Sequence, residues 1–436
     1  MVIGFDGSRV FEGNRTGTEN YSYQLLKALA KIDNKNQYIV YVRPSDVILG
    51  STERSRSATP GSTDSGRAPI KLGLARLAEA SAKRARMTEA KNWPRNFAFK
   101  VIPWPRFWTQ GGLAFQTFKD RLDVLFVPAH TLPLVRRPGL KTVVTVHDLG
   151  SEYLPSMHQV KQRVYLGLMQ KFQLKTATKI IAVSKATKED LVKRIGIDPE
   201  KVSVIYEGYD RSKFKIQNSK FKIDQTIKKY NLEYQKYFLF VGTVQPRKNL
   251  ERLIKAFSVI ARSETTKQSS QVKSQIKIAT LPSQTRVARN DNVELVIAGS
   301  KGWMSDEIYA LPKKLGIEEK VKFLGYVPEE DLPALYCGAI ALTFPSLFEG
   351  FGLPILEAQA CGCPVLTSNV SSMPEVAGKG AVYVNPYSVE EIAEGMKKVQ
   401  SAKCKVQSVK AGLENVKRFS WEKCAEETLK VLEKCK

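Results

Sequence analysis

Long apolar runs are missing from this 436-residue sequence. No stretch approaches 18 consecutive apolar residues, which excludes a membrane-spanning helix. Cysteine is scarce, with six in the chain. The one close pair, Cys361-Gly362-Cys363, has neither the spacing of a metal site nor that of a small disulfide scaffold, so a reducing cytoplasm is the expected compartment. Zinc-finger spacings and aromatic RNA-binding motifs are absent, and nucleic acid is not an expected partner. The opening residues, Met1-Val2-Ile3-Gly4-Phe5-Asp6, lack the basic-then-apolar layout of a signal peptide and enter a strand at once.

What is present in excess is positive charge. Lys and Arg number 68 against 43 Asp and Glu, a formal charge of +25. Such an imbalance attracts polyanions, whether nucleic acid, anionic lipid or phosphorylated substrates, although lysines on solvated faces account for part of it. With no nucleic-acid motif beside it, the charge favours an anionic membrane surface as a further partner. The protein is then expected in the cytoplasm, with peripheral contact at the inner face of the membrane.

At 43% hydrophobic residues the chain is a soluble globular type, and its length is that of two domains. β-Branched or aromatic runs alternate with helical stretches throughout, the pattern of parallel α/β sheets. The first series is Val2–Phe5, Tyr38–Val42, Asp123–Val127, Lys141–Val146, Lys179–Val183 and Val202–Tyr206. A helix from about Glu19 to Lys31, capped by Thr16 or Thr18, follows the first strand. The second series is Tyr237–Val241, Val293–Ala298, Val321–Gly325, Ala339–Phe344 and Pro364–Thr367. The expected division is residues 1–210, residues 211–415, and a last helix over 416–436. Two segments break the pattern: a basic insertion at about 50–92 and a polar one at about 263–289. Between Trp93 and Trp108 aromatic and basic residues stand side by side, as a loop suited to a lipid headgroup region or, equally, as aromatics packed into the domain.

Candidate chemistry gathers where strands end, because ligands of parallel sheets bind outside the carboxyl ends. His147 follows Lys141–Val146 and His130 follows Asp123–Val127, two of only three histidines. Gly242 ends Tyr237–Val241 and allows close approach to its backbone. Arg247 and Lys248 follow it, a pair able to hold a diphosphate by bidentate and point-charge contacts. The densest stretch is Phe344-Pro345-Ser346-Leu347-Phe348-Glu349-Gly350-Phe351-Gly352-Leu353-Pro354-Ile355-Leu356-Glu357-Ala358. Its strand, glycine loop and helix start form an anion-binding corner, with Pro354 in the first helical turn and Gly362 past the end. Glu349 and Glu357, with seven residues between them, are out of place if phosphate alone binds, and suit the grip of hydroxyl groups instead. Glu329, Glu330 and Asp331 are expected at the positive start of another helix.

The Glu349-x7-Glu357 spacing within Glu-Gly-Phe-Gly-Leu-Pro-Ile-Leu-Glu-Ala resembles the signature of retaining, sugar-nucleotide-dependent glycosyltransferases of family four. The resemblance implies the GT-B fold, two Rossmann-like parallel-sheet domains facing a cleft, and covers nearly the whole chain apart from the insertions. It also implies transfer of a sugar from a nucleotide diphosphate sugar to the hydroxyl of a glycan or lipid-linked acceptor in cell-surface polysaccharide or glycolipid synthesis. Mannose from a guanosine diphosphate donor is a family-level guess.

The resemblance further places His147 near the donor sugar, with Arg247, Lys248 and Glu349 at the reacting centre. Gly17, Gly242, Tyr326, Val327, Phe351, Gly352, Leu353 and Glu357 would line the donor. Tyr326 and Val327 would meet the base, and Glu357 the ribose. Members often carry Asn where this chain has Glu207, so no role passes to that residue. No Asp-x-Asp pair is visible, and neither a metal nor a cofactor beyond the sugar nucleotide is expected. The competing readings are a sugar-nucleotide epimerase or phosphorylase of related fold, and a non-catalytic polyanion- or membrane-binding protein.

Overall fold

A computed structural model of the chain describes residues 1–11, 17–43, 93–104, 107–129, 131–149, 171–215, 219–261 and 293–435. The two insertions, Thr16 and His130 lie outside the described residues.

Both sheets are wholly parallel. The first comprises β1 (Val2–Asp6), β2 (Gln37–Val42), β3 (Phe97–Val101), β4 (Val124–Val127), β5 (Lys141–Val146), β6 (Lys179–Ala182) and β7 (Val202–Val204), in the order β3-β2-β1-β4-β5-β6-β7. The second comprises β8 (Tyr237–Val241), β9 (Glu294–Ala298), β10 (Val321–Gly325), β11 (Ala341–Phe344), β12 (Val365–Ser368) and β13 (Ala381–Val384), in the order β10-β9-β8-β11-β12-β13. Their strands read as near-continuous apolar runs because helices cover both faces. In each sheet the order reverses beside the first strand, between β1 and β4 and between β8 and β11. Those reversals open the crevices in which doubly wound folds bind ligands.

The helices that position the site are α1 (Gly17–Ile32), α2 (Lys185–Asp190), α3 (residues 250–261), α4 (Leu332–Gly338), α5 (Leu353–Ala360), α6 (Met373–Ala377) and α7 (Trp421–Glu433). α7 returns to the first sheet and packs on α1, with the Tyr21 and Trp421 rings 5.8 Å apart. A Cβ on Gly208 would fall 2.2 Å from the Trp421 nitrogen, so the connection between the sheets and the start of α7 are in direct contact.

Two local expectations are corrected and a third is sharpened. The loop expected between Trp93 and Trp108 contains β3, whose Phe97 stacks on Tyr38 of β2 at 4.1 Å; an aromatic cross-strand pair outweighs the turn-like ends of the segment. Thr18 is no cap but the second residue of α1, its carbonyl accepting from Ser22 Oγ at 2.9 Å. Asp331 stands at the start of α4 as expected, but its side chain makes no cap bond there. Its carboxylate accepts instead from the Tyr230 hydroxyl at 2.7 Å and from Lys229 at 3.2 Å, because two donors outcompete the exposed amides of one helix turn.

Candidate active site

The second sheet's crevice is built first. β8 ends at Gly242, whose φ of +145° suits glycine. A short turn, Pro246–Lys248, follows and stops at Asn249, which adopts the left-handed conformation. The Asn249 amide donates to the carbonyls of Pro345 at 2.9 Å and Pro386 at 2.6 Å, and Leu347 N–H donates to the Arg247 carbonyl at 2.9 Å. The turn bearing the two cations is thereby fastened to the loop bearing Glu349.

Across that junction Lys248 Nζ lies 2.6 Å from Glu349 Oε1, and an Arg247 guanidinium nitrogen 3.0 Å from Glu349 Oε2. Lys248 and Glu349 are both buried, at 8% and 6% exposure. Burial opposes the charge on Glu349, but the two cations outweigh it and hold the carboxyl below its ordinary range. Burial, with Arg247 adding to it, pulls the Lys248 ammonium downward more than Glu349 restores it.

The Glu349 carbonyl is itself fixed by Ser371 Oγ at 2.7 Å and Ser372 Oγ at 2.9 Å. Gly352, at φ +115°, then turns the chain into α5, with Pro354 in its first turn as expected. The first turn of this eight-residue helix follows directly on the loop that carries Glu349, and the N–H groups of a helix start suit an anion. Phe351 contributes packing: its ring lies 6.1 Å from Tyr206 and 5.8 Å from Phe419.

One α-helical step on, Glu357 Oε2 accepts from the Tyr336 hydroxyl at 2.8 Å. Burial pushes the Glu357 carboxyl up to about 7 despite that bond. Tyr326 projects from the exit of β10 and is exposed, whereas Val327 beside it is buried. Gly17 opens α1, exposed and with open space where a Cβ would stand.

The two sheets meet at the ends of β5 and β11. A Cβ on Gly350 would fall 1.9 Å from the His147 carbonyl oxygen, so only glycine permits this approach. Thr187 Oγ1, on α2, lies 3.2 Å from the same carbonyl and 3.5 Å from that of Gly350. A second bridge stands beside it. Glu375 of α6 accepts the N–H of Lys185 at 3.0 Å and of Ala186 at 3.1 Å, and the Tyr206 hydroxyl at 3.2 Å. His147 is thus at the junction, but its ring faces inward. Nε2 is 2.9 Å from the Pro128 carbonyl and Nδ1 is 3.2 Å from Glu207 Oε1.

Sequence reasoning did not find Glu207, Glu375, Thr187 or Tyr336. The signal for Glu207 was a carboxylate where related chains carry a neutral amide. The other three offer no local pattern, since each acts on a partner distant in sequence.

The residues match two family models, Glycosyltransferase Family 4 over 15–213 and Glycosyl transferases group 1 over 222–411. The O-antigen chain mannosyltransferase B of Escherichia coli is 31% identical over 290 residues, which are 66% of this chain and 69% of that one. The O-antigen chain mannosyltransferase RfbU of Salmonella typhimurium is 29% identical over 271 residues, 62% of this chain and 63% of that one. Among solved structures, a sucrose-phosphate synthase from Thermosynechococcus elongatus superposes with a TM-score of 0.64 at 18% identity, covering 99% of this chain and 98% of that one. Fold and crevice define a two-domain sugar transferase of the GT-B type. The chain belongs to glycosyltransferase family 4, the group 1 glycosyl transferases.

Proposed function

We propose that the protein moves a hexose, mannose by preference, from a nucleotide diphosphate sugar to a hydroxyl of a glycan or lipid-linked acceptor, with retention of configuration. The observation that carries this is the Arg247–Lys248–Glu349 cluster set beside the start of α5 at the β8/β11 reversal. As the glycosidic bond to the diphosphate breaks, negative charge grows on the leaving oxygen. Arg247, Lys248 and the N–H groups near Gly352 and Leu353 stand where that charge develops, and preorganised donors lower the barrier most effectively there. Glu349, ionised between two cations, accepts hydroxyl hydrogens of the sugar and keeps its ring in register. Glu357 receives the ribose hydroxyls, and the backbone at Tyr326 and Val327 meets the base. His147 borders the sugar from the first sheet, while the leaving phosphate takes the acceptor's proton on the face it departs from. This reading needs neither a metal ion nor a further cofactor.

Mannose follows from the two relatives named as mannosyltransferases. A panel of guanosine, uridine and other nucleotide sugars tests the reading: the true donor raises the melting temperature, and by more than its parent nucleotide. Transfer from no donor in the presence of lipid-linked glycans would refute it.

The membrane is the proposed place of work. Among the described residues no helix is long and apolar enough to cross one. Peripheral contact is supported by the edge of the first sheet, where Phe107, Phe115 and Phe118 are 79%, 58% and 52% exposed beside Lys119 and Arg121. Exposed aromatics interleaved with cations suit the boundary of an anionic bilayer. Sedimentation with phosphatidylglycerol vesicles, lost on replacing Phe115 and Phe118 by Ser, checks this.

A further inference from the structure

His147 is one of three histidines in the chain, and its surroundings fix how many protons it carries. The ring is buried at the end of β5. Nε2 lies 2.9 Å from the Pro128 carbonyl oxygen, which can only accept. Nδ1 lies 3.2 Å from a carboxylate oxygen of Glu207, itself buried. A neutral imidazole has one N–H and one lone pair. If it donates to Pro128, its lone pair confronts an ionised carboxylate; if it donates to Glu207, its lone pair confronts a carbonyl. Either arrangement leaves two acceptors facing each other in a buried site, which is costly. One additional proton on the pair satisfies both contacts.

Among the described residues, the charges that act most strongly on the ring are negative, with the Arg247 cation lying beyond Asp148. Tyr21 of α1 presents its ring edge-on at 4.6 Å and points its hydroxyl to Thr145 at 3.3 Å. Asp148, next in sequence, adds a favourable negative field, as does Glu207. Cys424 on α7 lies against Tyr21, with Glu427 on the same helix, and burial keeps that thiol protonated. Arg247 on the second sheet is within the field of Asp148. Burial by itself would strip the proton from His147, but Glu207, the Pro128 carbonyl and Asp148 outweigh it.

We infer that Glu207 is a positioning residue for the transfer reaction: it holds His147 as an imidazolium, balanced by its own carboxylate, at the junction where the His147 carbonyl meets Gly350 and Thr187. The inference rests on the reading of this junction as the nucleotide-sugar site. Because Glu207 balances its charge, the imidazolium contributes a dipole, not a net charge, to the field of Arg247 and Lys248 when the diphosphate leaves, without presenting an N–H to the sugar. It also keeps the β5 exit loop rigid, because both ring nitrogens are tied within the first sheet's own structure.

Glu207→Gln separates charge from shape. A glutamine amide donates to Nδ1 while Nε2–H donates to Pro128, so every hydrogen bond survives with one proton fewer. The chain's three histidines make the experiment legible by nitrogen-15 NMR of the imidazoles in the full-length protein, with His147→Gln assigning the signal. At pH 7.5 the wild-type His147 ring is expected in the doubly protonated form, and in Glu207→Gln as the neutral Nε2–H tautomer. Steady-state transfer by Glu207→Gln is expected to fall roughly tenfold or more in kcat at pH 8, with KM for the donor changed less. It recovers as the pH drops toward about 6 and the ring regains its proton. An unchanged His147 signal in Glu207→Gln overturns the inference. So does a neutral ring with undiminished transfer at pH 8. Failure of the wild type to gain thermal stability from any nucleotide sugar would instead count against the assignment of the crevice, since the NMR result is read without substrate.

Discussion

Lys248 Nζ and Glu349 Oε1, 101 residues apart in sequence, are 2.6 Å apart in the fold, and both are buried. Glu349 is shared with Arg247 at 3.0 Å, so the cluster carries one net positive charge in the crevice rather than two. Removing one member of a buried pair leaves an uncompensated charge, at ~3–5 kcal/mol. Lys248→Met and Glu349→Gln are each expected to lower the melting temperature and to cut transfer by about 10²-fold or more. The double variant removes both charges, so it should recover most of the stability and none of the activity. Thermal melts beside initial rates check this. Recovery of transfer in the double variant would mean that the cluster only holds the loops together.

The proposed ribose contact of Glu357 predicts that nucleotide binding depends on pH. Its folded carboxyl is pushed up to about 7 from an ordinary 4.5, first by burial. The folded state therefore takes up a proton between these values that the unfolded chain releases. The sign follows: this group's stabilisation is complete below the unfolded value and is lost as pH rises through about 7. Binding runs the other way, since two ribose hydroxyls need an acceptor and the ionised carboxylate is the better one. Nucleoside diphosphate affinity should rise from pH 6 to pH 8, and calorimetry on Glu357→Gln should show weaker binding with that rise abolished.

How much of this was legible from residues alone depends on the range of the interaction. Local signals held: Pro354 and Gly362 bracket α5 as expected, and Ser184 caps α2 by accepting Thr187 N–H at 3.0 Å. The apolar runs marked nearly every strand, because a strand buried on both faces has to be apolar throughout. β3 was hidden, since its hold on the sheet is the stack of Phe97 on Tyr38, a partner on another strand. Arg247, Lys248 and Glu349 could each be named, but not their mutual neutralisation across 101 residues. For His147 the position was readable and the direction of its ring was not, because that direction is set by Glu207 and Pro128.

Gly350 brings the loop after β11 directly against the end of β5. An alanine Cβ there would lie 1.9 Å from the His147 carbonyl oxygen and 2.7 Å from its carbon, both backbone atoms with little room to shift. Gly350→Ala should therefore push the β5 exit loop off the second sheet while leaving α5 and the cation cluster in place. Nucleotide affinity is expected within severalfold of wild type, and kcat to fall by about 10²-fold. A variant with unchanged kcat would show that the two sheets need not touch during transfer.

Glu375 holds the same junction from the side. The first N–H groups of a helix have no partner of their own, and α2 draws two of them, on Lys185 and Ala186, to a carboxylate on the other sheet at 3.0 and 3.1 Å. Within α2, Ser184 Oγ takes the Thr187 N–H, so the helix start is satisfied only while the sheets are together. Glu375→Ala should cost ~1 kcal/mol of helix-start stability and let the junction open more often. Amide hydrogen exchange reads this directly. Protection at Lys185 and Ala186 is expected to drop in the variant and to rise in the wild type on adding a donor nucleotide, while Thr187, capped within its own helix, changes far less. Equal loss at all three amides would mean that the whole helix start frays and that Glu375 is no clasp between the sheets.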